Sequence, residues 1–193
     1  MSQFQLYFQL GIQHILDLKG FDHILFVIVL CAIYLSRDWK KILILVTAFT
    51  IGHSITLALA TFKLLNLNSN LIEFLIPVTI AITALVNIIK PKPSGSGGLQ
   101  INYLFALFFG LIHGLGFSNY LRSLLGRERS ILEPLLAFNV GLEVGQLVVV
   151  AVFLLISSVL VGIMGINRKE WTLVVSAIVL GMSLMMMIDA KFW

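Results

Sequence analysis

Residues 42–62 contain no Asp, Glu, Lys or Arg, and stretches of that kind recur along the chain. Crossing about 30 Å of hydrocarbon takes roughly 20 mostly apolar residues in a helix. Five apolar stretches reach or approach that length, and a sixth is shorter but flanked by more apolar sequence. The chain therefore reads as an all-α, polytopic membrane helix bundle of about six transmembrane helices. Composition agrees, because 59% of residues are hydrophobic and 11% charged, against about 25% charged in a soluble domain. A water-soluble fold has no way to hide that much apolar surface. Lipid is the solvent, and residues 1–193 form a single integral membrane domain.

The expected spans are 21–35, 42–62, 71–89, 99–117, about 131–164 and 171–188. Ahead of them, residues 4–16 carry Gln5, Gln9 and Gln13 at every fourth position, with Phe4, Phe8, Ile12 and Ile15 on other faces. That pattern predicts an amphipathic helix too short to span alone, interfacial or re-entrant, and ended by Gly20. Residues 90–98, KPKPSGSGG, hold Pro and Gly but no apolar side chain, and predict a flexible aqueous loop between two three-helix halves. Read end to end, the chain suggests no internal repeat. The N-terminus lacks the positive region of a secretory signal, so no cleavage is expected.

The formal charge of +4 sits in short connecting segments, so it bears on topology and not on a nucleic-acid partner. An outside N-terminus places Arg37, Lys40, Lys41, Lys90, Lys92, Arg168 and Lys169 in the cytoplasm and leaves Lys19, Lys63, Arg122, Arg127, Arg129 and Lys191 outside. That is seven against six, a small margin for this orientation. The single cysteine, Cys31, excludes an internal disulfide and any Cys-rich zinc site, and its apolar setting reads as packing.

Polar and ionisable side chains within a span cost roughly 2.5–3.5 kcal/mol each on insertion scales, so those retained mark a bundle interior or a site. Asp22 and His23 open the first span, preceded by His14 and Asp17; His53, His113 and Glu143 lie within later spans. These include all four histidines of the chain. A rise of about 1.5 Å per residue puts His53, His113 and Glu143 roughly 18 Å deep, near mid-bilayer, and Asp22 and His23 shallower, as a mouth. Asn139, Glu143 and Gln146 share one helix face. Gly141 with Gly145, and Gly110 with Gly114, have the spacing that allows close helix approach.

Imidazoles and carboxylates without thiols suit Ni²⁺, Co²⁺, Zn²⁺ or Cu²⁺ better than Ca²⁺ or Mg²⁺. Histidine also supplies a release trigger, since protons compete with the metal. Structural readings stand beside this one. A single membrane histidine can bond a neighbouring helix, Asp22 can cap its helix, and Asp17 can simply be solvated. Thr50, Ser54, Thr56 and Thr83 can satisfy their own backbone. Met185 to Met187 point to different faces and read as packing or lipid contact.

The segments GIQHILDLKGFDHILF, FTIGHSITLALA, FGLIHGLGF and FNVGLEVGQ resemble, in order and over the whole chain, the HupE/UreJ family of bacterial membrane proteins, second subgroup. The resemblance implies a nickel or cobalt permease of the bacterial inner membrane. Carried over by position, it implies His14, Asp22, His23, His113 with Gly114, and Glu143 as functional residues. The expected mechanism is capture of a divalent transition metal by His14, Asp22 and His23, then holding by His53, His113 and Glu143, with Ser54, Asn139 and Gln146 in support. The alternative is an intramembrane zinc-dependent hydrolase on the same cluster, with Glu143 or Asp22 as general base. The partners expected are the metal ion and the bilayer, with no nucleic acid and with a homo-oligomer left open.

Overall fold

The computed structural model describes residues 2–62, 64–65, 68–90, 96–125 and 131–191. They form seven helices with no strand among the described residues: α1 (Gln3–Leu16), α2 (Asp22–Cys31), α3 (Trp39–Thr61), α4 (Ser69–Ile89), α5 (Ser96–Leu125), α6 (Leu132–Ser157) and α7 (Arg168–Asp189). A single 3₁₀ turn, Ser36–Asp38, leads into α3, and a π-helical turn, Ser158–Ile163, extends α6. Four helical segments are long and apolar enough to cross a membrane, Ser36–Thr61, Ser69–Ile89, Leu132–Ile163 and Arg168–Asp189; Asp22–Cys31 and Asn102–Phe117 are shorter apolar pieces. With α1, these make a helical membrane bundle.

Three boundaries differ from the sequence expectation. The first span is only Asp22–Cys31, because the chain leaves the helix over residues 32–35 before the 3₁₀ turn. Helix α5 begins at Ser96, so Gly97 and Gly98 of the expected loop are helical, while 91–95 lie outside the described residues. Helix α5 also runs on to Leu125 and takes in Arg122; Arg127, Glu128 and Arg129 lie outside the described residues.

Helix α1 starts with a reciprocal cap, Ser2 Oγ accepting from the Gln5 backbone N–H and Gln5 Oε1 accepting from the Ser2 N–H. Its Gln5, Gln9 and Gln13 stripe is exposed, and the opposite stripe, Tyr7, Gly11 and Ile15, is buried. That buried stripe lies against α6. Gly11 meets the Phe138 carbonyl, and Gly145 meets Ile12 and Ile15, so the two helices run in the same sense and α1 ends beside the middle of α6. Helices α3 and α5 also run in one sense, with Gly52 against the Leu107 carbonyl and Gly114 against the His53 carbonyl. A methyl group at Gly11, Gly52, Gly110 or Gly141 would collide with a backbone carbonyl of the neighbour, so only glycine permits these approaches.

The chain reverses between α5 and α6, and Phe117 near the end of α5 stacks on Phe138 near the start of α6 at 5.1 Å. Helix α2 runs against α3, with His23 beside His53 and Phe26 beside Phe49. It follows that α1 and α2 point the same way. They are the two parts of one broken span, interrupted at residues 17–21, and together account for about 36 Å of helix at 1.5 Å per residue. Asp17, Leu18 and Lys19 of the break are exposed. Irregular backbone at membrane depth is tolerated where it lines a watery cavity, and a cleft of about 760 Å³ lies here, lined by Gln13, His14, Asp17, Lys19 and Phe117 among others. Helices α4 and α7 pack on each other, and Asn87 of α4 ties α2 in by donating to the Val29 carbonyl at 2.7 Å.

Candidate metal centre

The break between α1 and α2 brings the four histidines together. His14 ends α1, His23 opens α2, His53 lies past the middle of α3, and His113 lies in α5. Ring centroids are 4.5 Å apart for His14 and His23, 5.8 Å for His23 and His53, 6.0 Å for His14 and His53, and 5.2 Å for His23 and His113. One ring nitrogen from each of His14, His23 and His53 lies within 4.8 Å of the other two. His23, His53 and His113 are buried and His14 is half-buried.

Hydrogen bonding fixes how these rings present themselves. His113 Nδ1 lies 2.9 Å from the Phe109 carbonyl one turn back, so Nδ1–H donates and Nε2 keeps a lone pair. His23 Nδ1 lies 3.1 Å from Asp22 Oδ1, so the carboxylate accepts from Nδ1–H and again leaves Nε2 free. His14 Nε2, His23 Nε2, His113 Nε2 and both nitrogens of His53 are buried with no hydrogen-bond partner in the protein. A buried polar atom without a partner costs about 1–3 kcal/mol. A fold that retains five such atoms in one place is built for something besides its own packing.

A tetrahedral ion with metal–nitrogen bonds of about 2.0–2.1 Å holds its ligand nitrogens about 3.4 Å apart. Ring nitrogens of His14, His23 and His53 that lie within 4.8 Å of one another need only small ring rotations to reach that spacing, and the donor type fits an ion of the Ni²⁺, Co²⁺ or Zn²⁺ kind. Asp22 occupies the position of an outer-sphere carboxylate, which orients a ligand ring and raises its basicity. It does not cap α2, since Phe21 is the N-cap residue and makes no side-chain cap bond.

Glu143 lies elsewhere. Thr47 Oγ1 donates to Glu143 Oε1 at 2.6 Å, and one turn on, Thr50 Oγ1 donates to Gln146 Oε1 at 2.7 Å, so α6 and α3 are bonded through this pair of contacts. The carboxylate is not among the grouped ligand atoms. Asn139, on the same face of α6, keeps an unpartnered buried Oδ1. Ser54 donates to the Thr50 carbonyl of its own helix at 2.7 Å, and Thr56 and Thr83 bond their own helices in the same way. The expected two stations are a mouth at His14, Asp22 and His23 and a deeper set at His53, His113 and Glu143. The four histidines instead lie in one cluster, because His23 starts the second part of a broken span and not a span at the surface, and Glu143 is bonded to Thr47.

An aromatic shell that carries no sequence signal surrounds the histidines. Phe26 packs against Phe49 at 4.8 Å and edge-on against Phe109 at 5.9 Å beside His113, with Phe49 5.1 Å from that ring. Phe117 lies 3.9 Å from His14 on the other flank, and Phe138 5.8 Å from it. Phe at such positions is indistinguishable from core in sequence.

Fold and site together define a polytopic helical membrane protein with a buried imidazole cluster at a break in its first span. The chain belongs to the HupE/UreJ family, matching the family described as HupE / UreJ protein over residues 1–192. No curated protein and no solved structure matches it.

Proposed function

We propose that the chain is a permease for a divalent transition-metal ion of the nickel or cobalt class, in the cytoplasmic membrane, with the N-terminus outside. His14, His23, His53 and His113 form the site the ion passes through. The observation that carries this reading is the grouping of one ring nitrogen each from His14, His23 and His53 within 4.8 Å of one another, beside the His113 ring, with Nε2 atoms that lack partners in the protein. Family membership supports it. An all-imidazole site without thiolate gives the moderate affinity that passage requires, and protons compete for the same lone pairs, so binding weakens as pH falls.

The hydrolase reading has less support. A zinc hydrolase needs a free carboxylate beside the open coordination position to act as base. Asp22 is engaged with His23, and Glu143 with Thr47. Purified protein in liposomes is expected to take up Ni²⁺ or Co²⁺, and His53→Ala to abolish uptake while the protein stays monodisperse. Uptake at the wild-type rate in His53→Ala and in His23→Ala would remove the mechanism.

A further inference from the structure

Two helix pairs of the bundle repeat each other atom for atom. In the first, Gly11 of α1 meets the Phe138 carbonyl, three residues before Gly141 of α6, and Gly141 meets the Phe8 carbonyl, three residues before Gly11. In the second, Gly110 of α5 meets the Phe49 carbonyl, three residues before Gly52 of α3, and Gly52 meets the Leu107 carbonyl, three residues before Gly110. Laying α1 on α5 and α6 on α3 superposes these contacts. The sequences then agree as well: GIQHIL at 11–16 falls on GLIHGL at 110–115, and AFTIG at 48–52 on AFNVG at 137–141. The last helix of each half also begins alike, Asn68 capping α4 through the Asn70 N–H and Asn167 capping α7 through the Lys169 N–H.

Chain order is preserved in this matching, since α1, α3 and α4 correspond to α5, α6 and α7. Chain direction is not, because α1 runs with α6, and α6 runs against α5. The halves are therefore related by inversion, contrary to the absence of a repeat read from the sequence. The match escaped linear reading because its offsets are 99 residues for α1 to α5 and 89 for α3 to α6, a difference hidden in the connections.

The matching pairs His14 with His113, and Phe49 with Phe138. Each histidine has the other half's phenylalanine as neighbour, His14 with Phe138 at 5.8 Å and His113 with Phe49 at 5.1 Å. Beyond Phe49, with Phe26 and Phe109, lies a cavity of about 120 Å³ lined by Phe109, Asn102 and Lys90 among others, toward the basic end of the bundle. Phe117, stacked on Phe138, forms part of the lining of the cleft that reaches His14. Inverted halves around a central site are the architecture in which a transporter exchanges the conformations of its halves to open alternately to each side. The first half is broken at 17–21, whereas α5 is continuous through the matching positions 116–120, so the halves now differ as such an exchange requires.

We propose that the bundle is an inverted duplication, and that Phe49 and Phe138, equivalent residues of its halves, are the two gates on opposite sides of the histidine cluster. This rests on the transport reading above, but its test does not. With Cys31→Ser as background, His53→Cys places a thiol at the centre of the cluster, and a charged, membrane-impermeant thiol reagent is applied from one side of oriented vesicles at a time. Phe49→Ala is expected to raise labelling severalfold from the side of Lys40 and Lys90, and Phe138→Ala from the opposite side. Phe49→Leu and Phe138→Leu, which keep most of the packing volume, are expected to do the same more weakly should either alanine variant fail to fold. Rises from the same side for both, or no rise in either of two monodisperse leucine variants, would overturn the proposal. The thiol variant carries no intact metal site. Opposite-side labelling with no wild-type uptake would therefore keep the gates and refute the permease, and the reverse pattern would do the opposite.

Discussion

Two polar regions lie on the same stretch of α3, and they differ in one respect. At Thr47 and Thr50, each hydroxyl meets an acceptor on α6, and Glu143 and Gln146 each receive a bond. At His53, less than a turn further on, neither ring nitrogen has a partner, nor do the Nε2 atoms of the three rings around it. Equal depth and equal polarity thus conceal opposite purposes. Polar groups that satisfy one another join helices, whereas groups held together and left unsatisfied keep their lone pairs free for a ligand.

Removing one member from each region at a time separates their roles. His53→Ala should weaken Co²⁺ or Ni²⁺ binding by about 100-fold or more, since outer-sphere partners alone are worth about 10–100-fold; isothermal titration of detergent-solubilised protein reads this. Asp22→Asn should fall in that 10–100-fold range at unchanged stoichiometry, because it disturbs the orientation of His23 and removes no donor. Thr47→Val should leave metal affinity within about threefold and instead lower stability by about 1–3 kcal/mol, the cost of a buried acceptor that has lost its donor. Glu143→Gln keeps an acceptor for Thr47 and should do less. A metal affinity that collapses in Glu143→Gln would merge the two regions into one site. Ser54→Ala, whose hydroxyl bonds only its own helix in the structure, should change thermal stability by no more than about 0.5 kcal/mol.

Much of the fold was legible because lipid leaves the chain few choices. The apolar runs 42–62 and 71–89 became α3 and α4 with ends shifted by three residues or fewer, and the Gln5, Gln9, Gln13 stripe did mark a short helix. Gly20 correctly announced a break. What the sequence could not convey is that the chain continues in the same direction after it, which turns an interfacial helix plus a first span into two parts of one span. That single fact moves His14 and His23 from a surface mouth to the centre of the cluster.

The candidate site was legible as a residue list and not as an arrangement. Rise per residue fixes depth but says nothing of azimuth, so Glu143, level with the histidines on α6, turns out to face Thr47. The spacing of Gly110 with Gly114 and of Gly141 with Gly145 did foretell close approach, and the structure adds the partners, Gly52 and Gly11. The aromatic shell gave no signal because phenylalanine in a membrane helix is unremarkable until its neighbours are known.

Titration of the purified protein with Co²⁺, followed by visible absorption, tests most directly whether the four imidazoles form one metal site. The account predicts one ion per chain, an absorption typical of nitrogen-ligated, near-tetrahedral cobalt, loss of that band in His53→Ala and in His23→Ala, and weaker binding at lower pH. Absence of binding by the wild-type protein, or the same band undiminished in all four histidine-to-alanine variants, would contradict it.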